Sequence, residues 1–582
     1  MNFILVGFIV SLIGGFPYCE ISENDNWLKR FVFWLIGGTI VWSFVAYLFM
    51  PQLVGPFWGF PLTIMIWITL AANVMSSMAA AEYHKWNQTK VFGNACLVVA
   101  AAIILPTMRS CAGWSALNAN KYRALAGATL TKGDWEQDLS PVDTAHIRMV
   151  SRQQAEWLGN KALGQADGSL GSRYKLGSYT VQRVANKLVW VAPLEFTGFR
   201  SWQRFGSTPG YVMVSAENPS ETPRLVIEHE LKFMPSANFS SNLERHLYTH
   251  GYQARGTMDY TFELDDEGNP FWVVTLYDYS IQYWAEQIQG VLTVNPKTGA
   301  ITEYDDTSEV PAWVDRIIPE KVAFERLTWY GSFIHGWFNS WWGEEDVNIP
   351  TNPQRLAEMW LVWGSDNRAY WFSGFTSSKN SDSALVGFAM MDSRTGETKY
   401  YRLSGADESA VLQVANSAVS NYSGYHGTQP ILYNIYGELT WVVPIISSEN
   451  IFQKICFIRA STSESVLGET KREALTAYRR LLQSTSNEDE PSSQTGTQTL
   501  TGTLSRVGRD NNDGNTTYYF VVGTDPLTRI YTATSSVNYE VTLAKPGDEV
   551  EIRYFETGES VVPVSGFDII NLRPQAPPET PK

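Results

Sequence analysis

The chain has 582 residues, a formal charge of −15, 44% hydrophobic residues and 22 tryptophans. A chain of this length exceeds what one hydrophobic core serves, so several domains are expected. The acidic balance excludes a general polyanion binder, and the spacing of Cys19, Cys96, Cys111 and Cys456 gives neither a disulfide scaffold nor a zinc ribbon.

Residues 1–110 are predicted to form a transmembrane domain of three or four helices. Residues 31–50 and about 57–80 are uncharged and long enough to cross a hydrocarbon core, which needs about 20 apolar residues. Residues 92–108 are a third apolar segment, and residues 2–17 are a fourth span or a retained signal-like segment. Four spans are favoured over three.

Basic residues in short loops predict the side of the membrane. Lys29 and Arg30 precede the segment 31–50, and Lys85 and Lys90 lie between the segments 57–80 and 92–108. Because such loops tend to stay in the cytoplasm, the protein is expected in the bacterial inner membrane with its body extracytoplasmic. Arg109, Lys121 and Arg123 follow the last segment and oppose this orientation, so a cytoplasmic body is the alternative.

An internal repeat follows, marked by four strand tryptophans. Each lies four residues after a glycine or asparagine, in the pairs Asn186 and Trp190, Gly268 and Trp272, Asn367 and Trp371, and Gly437 and Trp441. Since glycine and asparagine tolerate left-handed turns, each copy is predicted to enter a strand from a turn, with its tryptophan buried. Trp202 and Trp284 both lie twelve residues beyond a marker, which supports pairing the first two copies.

A second hairpin follows each marker strand. GVLTVNPKTGAITEY and GFAMMDSRTGETKYY carry a Thr-Gly turn at the same offset, at Thr298–Gly299 and Thr395–Gly396, whereas the fourth copy, KICFIRASTSES, lacks this signature. Amphipathic helices are predicted before the hairpins, at residues 144–163, 240–252, 319–333 and 407–422. The predicted units therefore span residues 144–225, 240–305, 319–402 and 407–470, within a body of residues 111–483.

These hairpins resemble the PepSY module, a small α+β unit of peptidase propeptides and bacterial envelope proteins. The resemblance implies a membrane-anchored α+β protein with about four PepSY-like helix-plus-hairpin repeats. The long tryptophan strands depart from the module, so an inhibitory role of the propeptide kind does not carry over.

The C-terminal part is predicted to be a separate small β-barrel that resembles an OB-fold or SH3-like barrel. Residues 484–499 form a polar linker, residues 500–573 supply five or six short strands, and residues 574–582 are a Pro-rich, mobile tail. The barrel carries six Lys or Arg against ten Asp or Glu. This balance disfavours nucleic acid as a partner.

Histidines are the first candidates for chemistry. His246 and His250 share one face of a predicted helix, and with Glu228 they are weak candidates for a metal site, although no H-E-x-x-H spacing supports them. Structural histidines are the default interpretation. No catalytic motif, nucleotide-binding loop or cofactor signature is found, so no cofactor is predicted.

An aromatic run at residues 328–348 contains Trp337, Trp341 and Trp342. Its density suits packed core first, a partner interface second, and a membrane-interface belt third. The sequence thus predicts a non-enzymatic scaffold or partner-binding protein of the cell envelope, whose partners are the lipid bilayer and other envelope proteins. The alternative is a peptidase modulator or metal-dependent enzyme with its site between repeats.

Overall fold

The fold is mixed α+β, with apolar N-terminal helices, four antiparallel-rich sheets and a closed barrel. The computed structural model describes residues 2–15, 27–50, 54, 65–71, 108–127, 130–166, 170–351, 359–364, 366–377, 384–485, 497–512, 515–523, 525, 529–535, 537–555 and 561–572. The predicted tail and most of the predicted spans 57–80 and 92–108 lie outside the described residues.

Helices are present throughout the chain. The α-helices are Asn2–Gly15, Trp27–Phe49, residues 65–71 and 108–112, Ser115–Gly127, Trp135–Asp138, Arg152–Gln165, Leu170–Arg173, Phe199–Phe205, Leu243–Thr249, Glu320–Ser332, Glu408–Ala418 and Lys471–Thr485. Shorter 3₁₀ or π turns are Thr144–His146, Phe239–Ser241, Tyr252–Ala254, Asn339–Gly343, Tyr539–Thr542 and Ile570–Leu572.

One described helix segment, Phe31–Phe49, is long and apolar enough to cross a membrane. It packs against Asn2–Gly15 through small residues, since a Cβ on Gly7 would lie 2.4 Å from Ser43 Oγ and one on Gly38 would lie 2.7 Å from Ser11 Oγ. Such close approach is typical of helix pairs in membranes.

The first and second sheets correspond to the first two predicted units. The first contains Tyr174–Leu176, Thr180–Val184, Lys187–Phe196, Tyr211–Ser215 and Arg224–Val226. The second contains Gly256–Leu264, Pro270–Ile281, Trp284–Val294 and Ile301–Tyr304.

The third and fourth sheets follow. The third contains Leu130–Gly133, Asn348–Pro350, Trp360–Trp363, Ala369–Ser377, Ala384–Asp392 and Thr398–Ala406. The fourth contains His426–Gly427, Ile431–Ile435, Glu438–Ile446, Phe452–Arg459 and Ser465–Gly468. Leu130–Gly133 pairs in parallel with the last strand of the third sheet, so a strand from before the first unit completes the third.

The four marker tryptophans occupy the same position in the four sheets. Each is buried on the second of four meandering strands, between partners on both neighbouring strands: Trp190 between Val181 and Val214, Trp272 between Phe262 and Val294, Trp371 between Leu361 and Met391, and Trp441 between Leu432 and Ile458. The shared register shows that the offsets in the sequence reflect one strand arrangement used four times.

In three sheets the tryptophan fixes the chain segment that leads to the helix. The indole N–H of Trp190 donates to Val150 O at 2.9 Å, and the N–H groups of Met149 and Val150 both donate to Ala216 O. The second sheet repeats these bonds: the indole N–H of Trp272 donates to Phe233 O, and the N–H groups of Lys232 and Phe233 donate to Pro296 O. In the third sheet the indole N–H of Trp371 donates to Ile318 O, and the N–H groups of Ile317 and Ile318 donate to Ser393 O. We call this arrangement the indole clamp.

The fourth sheet departs from the indole clamp. Among the described residues, Trp441 Nε1 has no hydrogen-bond partner although the side chain is fully buried. The segment before its helix is Thr398–Ala406, which is already the last strand of the third sheet. Its backbone groups pair along that sheet, and this accounts for the missing clamp.

The clamped segment also corrects one predicted helix. Residues 144–163 were expected to be helical throughout, but the helix is Arg152–Gln165 with Ser151 as its N-cap. Ile147, Met149 and Val150 are buried in extended chain, where their apolar spacing serves the sheet rather than a helix face.

Shared cores join the sheets. One core contains Trp190 and Trp371, a second contains Val191 and Trp272, and a third contains Phe372 and Trp441. The sheets are therefore linked in the order second, first, third, fourth.

In the second, third and fourth sheets, the turn after the third strand has the same backbone conformation. Asn295 Oδ1 accepts the N–H groups of Lys297 and Thr298, and Asp392 Oδ1 accepts those of Arg394 and Thr395. Gly299 and Gly396 follow at φ 74° and 78°.

The fourth sheet keeps this turn although its sequence lacks the Thr-Gly signature. Ser463 N donates to Arg459 O at 2.9 Å, and Ser463 takes the glycine position at φ 61°. Thr462 Oγ1 accepts the Glu464 N–H, as Thr298 Oγ1 accepts that of Ala300. A pattern search for Thr-Gly misses a turn in which serine adopts glycine's conformation.

The barrel consists of Thr497–Asn512, Asn515–Val522, Ile530–Thr534, Glu549–Phe555 and Val561–Ile569. Its first strand begins inside the predicted linker and pairs with Glu549–Phe555 over its first half and Asn515–Val522 over its second half. A register shift at Leu504 to Arg506 lets one strand serve both neighbours.

Replacing Ser463 with glycine should raise the free energy of unfolding by about 1 kcal/mol, because glycine relieves the cost of a left-handed conformation. Gly299→Ala should lower it, since the added Cβ at φ 74° would lie 2.8 Å from the Phe233 ring. Urea-dependent pulse proteolysis of the detergent-solubilised chain measures both changes. A destabilised Ser463→Gly variant would contradict the common turn geometry.

Candidate functional site

The predicted metal candidates do not come together. His246 and His250 rings lie 4.2 Å apart, whereas Glu228 is exposed in the loop before Leu231. Within the ranges that the structure describes, no three His, Cys, Asp or Glu side chains are placed to hold a metal ion.

His246 has a structural role at the Thr-Gly turn of the second sheet. Its Nε2 lies 2.7 Å from Gly299 O, and its ring packs 4.4 Å from the Phe233 ring. Burial lowers the pKa of His246, and the nearby His250 lowers it further, against the opposing effect of the bond to Gly299. A neutral imidazole that donates from Nε2 fits this position.

A groove lies beside the same turn. Its volume is about 390 Å³. Three chain segments line it: Glu228, His229, Glu230; Asn269, Pro270, Phe271; and Asn295, Pro296, Lys297, Thr298.

The groove combines an apolar floor with exposed charges. Phe271 stacks on Trp313 at 5.0 Å, and buried Pro296 is the acceptor of the indole clamp. Lys297 Nζ lies 3.9 Å from Glu230 Oε2, and Glu228 is exposed beside this pair. Apolar contact together with a few polar groups is a composition found in ligand-binding clefts.

A buried acidic pair lies where the first three sheets meet. Glu263 is fully buried and 3.9 Å from Arg316 Nε, and Thr261 donates to its Oε1 at 2.9 Å. Asp315 Oδ2 accepts the Arg183 N–H of the first sheet at 2.8 Å, and Asp315 O accepts the Ser393 hydroxyl of the third sheet.

Burial controls the titration of both acids. It raises the pKa of Glu263 to about 7 and that of Asp315 to about 6, against the opposing effect of Arg316. The position between sheets fits a structural junction, because Asp315 bonds to the first and third sheets, while Glu263 accepts from Thr261 of its own strand and faces Arg316. No local sequence pattern predicts this pair, because Arg183 and Ser393 are distant from Asp315 along the chain and Arg316 is distant from Glu263.

The aromatic run is only partly buried. Phe333 packs with Tyr122, and Trp337 lies against the same small core. Trp341 and Trp342 are 67% and 81% exposed, so the prediction that the run is packed core is wrong for them. Gly336, at φ 85°, turns the chain outward before the short π turn that carries both tryptophans.

The equal offset of Trp202 and Trp284 does not reflect equivalent positions, so it does not support pairing the first two copies. Trp202 lies in the helix Phe199–Phe205, whereas Trp284 begins a strand after the tight turn at Gln282 and Tyr283. Both residues lie twelve positions after a marker tryptophan, but a helix connects the strands in the first sheet and a tight turn connects them in the second.

No protein-family model matches the chain, and no curated protein matches its sequence. The geometry of the described residues is therefore the basis for assigning a function.

Glu263→Gln should flatten the dependence of stability on pH. Folding raises the pKa of Glu263, so its protonated form stabilises the fold below about pH 4.3 and this contribution is lost as the pH rises through about 7. The wild-type protein should lose stability over that window, and the variant should lose less. Pulse proteolysis in urea at a series of pH values measures this. Glu230→Gln, at an exposed position, is the control, and an unchanged slope in Glu263→Gln would refute the assignment.

Proposed function

We propose that the protein is a multi-pass, membrane-anchored, non-enzymatic scaffold of the bacterial cell envelope, with PepSY-like repeats that present a partner-binding groove outside the cytoplasm. The strongest support is contact between the body and the apolar N-terminal helices. Arg245 donates to Tyr47 O, its guanidinium lies 4.1 Å from the Tyr47 ring, and Tyr248 stacks on Phe3 at 4.7 Å.

These contacts bear on the number of spans. Phe3 opens the first helix and Tyr47 closes the second, so the body contacts the same end of an antiparallel pair. Residues 108–112 contact the body too, because Ser110 O accepts the indole N–H of Trp284 at 3.0 Å. If the chain is on the body side at both Tyr47 and Ser110, it crosses the membrane an even number of times between them. Two crossings there give four spans.

The same count agrees with the charge pattern. With four spans, the loop of Lys29 and Arg30 and the loop of Lys85 and Lys90 lie together on the side opposite the body. Basic loops favour the cytoplasm, so the body is extracytoplasmic.

The binding role is supported by a contrast between buried polar side chains, which make structural contacts, and the exposed polar side chains of the groove. His246 holds a turn, and Glu263 and Asp315 join sheets. The groove instead offers Glu228, Glu230 and Lys297 on an exposed rim above an apolar floor. A polar peptide segment of another envelope protein, with basic residues facing the two glutamates, fits this surface.

A reporter fusion tests the topology. Alkaline phosphatase fused after Lys582 should be active and a cytoplasm-dependent fluorescent protein fused there should be dark, because basic loops hold the opposite side in the cytoplasm. The same pair of reporters inserted after Asn26, before the helix Trp27–Phe49, should give the opposite result. An active phosphatase after Asn26 and not after Lys582 would refute the extracytoplasmic assignment.

Site-specific photo-crosslinking tests the groove. A photoreactive amino acid at Glu228 or Glu230 should give a discrete protein adduct in intact cells. In a separate binding measurement without the photoreactive residue, a variant with both glutamates replaced by lysine should bind the identified partner at least tenfold more weakly. Lys187, an exposed residue on the first sheet, is the matched crosslinking control. Equal labelling from Lys187 and the groove, or no adduct from the groove, would refute a specific partner site.

A further inference from the structure

A second surface has no part in the proposed groove. It is an exposed apolar patch formed by three separate chain segments and is called the tryptophan platform here. Its members are Trp114, Leu117, Trp284, Phe338, Trp341 and Trp342.

The tryptophan platform is continuous. Trp337 lies beneath it and touches the rings of Trp114, Phe338 and Trp341 at centroid distances of 5.8, 5.3 and 5.8 Å. Trp341 in turn contacts Trp342 at 5.8 Å. The rings are therefore held in one surface rather than scattered singly.

The side chains of the platform are strongly exposed. Trp114 is 57% exposed, Leu117 70%, Phe338 71% and Trp342 81%. A cluster of large apolar side chains in water costs free energy, so such a patch marks a surface that is covered in the working protein.

The supporting structure under the platform is rigid. Tyr122 packs 4.8 Å from Trp329, and its hydroxyl donates to Gly113 O at 2.8 Å. A Cβ on Gly113 would lie 2.3 Å from the Trp284 ring, so the two chain segments are in close contact.

We infer that the tryptophan platform docks on the lipid bilayer at the level of the headgroups. Its first segment begins at residue 108, directly after the apolar residues 92–107, which under the proposed topology bring the chain out of the membrane on the body side. Ser110 is bonded to Trp284, so the platform lies where the chain leaves the bilayer. The inference thus rests on the membrane anchoring proposed above.

Tryptophan suits this depth better than the hydrocarbon core or water. Its ring is apolar while its N–H seeks a polar partner, and tryptophans are enriched at membrane interfaces for this reason. Cations flank the platform on the membrane-proximal segment: Arg109 lies over the Tyr283 ring at 4.5 Å, and Lys121 is exposed. Both are placed to meet lipid phosphates.

Acidic residues on the opposite flank limit the role of charge. Glu344, Glu345 and Asp346 are exposed just beyond Trp342, and Asp346 pairs with His335 at 3.1 Å. Their repulsion of anionic lipids offsets the attraction of Arg109 and Lys121. Docking should therefore occur on zwitterionic phosphatidylcholine and should not need anionic lipid.

Photoactivatable lipid tests this inference on the full chain. The protein is reconstituted into phosphatidylcholine liposomes that contain a phosphatidylcholine with a diazirine near the glycerol end of one acyl chain. After illumination, lipid adducts are mapped by mass spectrometry. Adducts are expected in residues 114–117 and 337–342 and in Phe31–Phe49, but not at Tyr539, a barrel residue that is 82% exposed.

In the double variant Trp341→Ser and Trp342→Ser, lipid labelling of residues 337–342 should be at least fivefold lower than in the wild type. Its retention on liposomes after an alkaline wash should match that of the wild type, and Tyr539→Ser is the matched surface control. A tryptic digestion pattern equal to that of the wild type verifies that the variant is folded.

Three outcomes would overturn the inference. Labelling of Phe31–Phe49 without labelling of residues 337–342 would show that the chain is anchored but the platform does not dock. Loss of the chain in the alkaline wash, with neither region labelled, would refute the anchoring itself. In cell membranes, a photoreactive residue at Trp342 that yields a protein adduct instead of a lipid adduct would assign the platform to a protein partner.

Discussion

The body of this protein depends on one small hydrogen-bonded arrangement, the indole clamp. In each of three sheets, one carbonyl beyond the third strand accepts two consecutive N–H groups, and a tryptophan donates to the carbonyl of the second of those residues. The clamped segments lie outside regular helices and strands, and Val150 and Ile318 within them are fully or almost fully buried. Backbone groups in such places must be paired, so the clamp is what permits chain to pass between sheets without loss of stability.

The indole clamp also explains why the sheets form one array rather than four separate domains. Each clamped segment is hydrogen-bonded to its own sheet, and the side chains of that sheet enter a hydrophobic core shared with a neighbouring sheet. Polar junctions such as Asp315 add contacts to several strands at once. Histidine and carboxylate side chains that resemble catalytic residues in the sequence are used in this way, because a junction between sheets needs buried groups that can make several hydrogen bonds.

Much of the strand arrangement could be predicted from local signals. The offset from a turn residue to Trp190 or Trp272 is set by strand geometry alone, so it is preserved when most other residues change. The turn at Ser463 escaped notice because its conformation, not its residue type, is conserved among the sheets. The helix boundary at Arg152 was misjudged because Ile147 and Val150 match helical spacing but are buried by the clamp, a contact between distant parts of the chain.

The candidate sites were harder to predict. Groove residues come from three separate segments, and their proximity follows from sheet pairing rather than from spacing. Burial of Trp341 and Trp342 was inferred from residue type, yet Gly336 directs the chain outward and leaves them exposed. Residue type sets a preference, and the path of the backbone decides whether that preference is met.

The parallel pairing of Leu130–Gly133 with the last strand of the third sheet has a consequence for biosynthesis. Leu130 lies opposite Thr398, so the earliest strand of the body must wait until the first three units have been made before it finds its neighbour. Contacts between such distant residues close slowly because the intervening loop must first be ordered. The third sheet therefore cannot be completed until its last strand has been made, so the strand that is synthesised first in the body is among the later ones to pair.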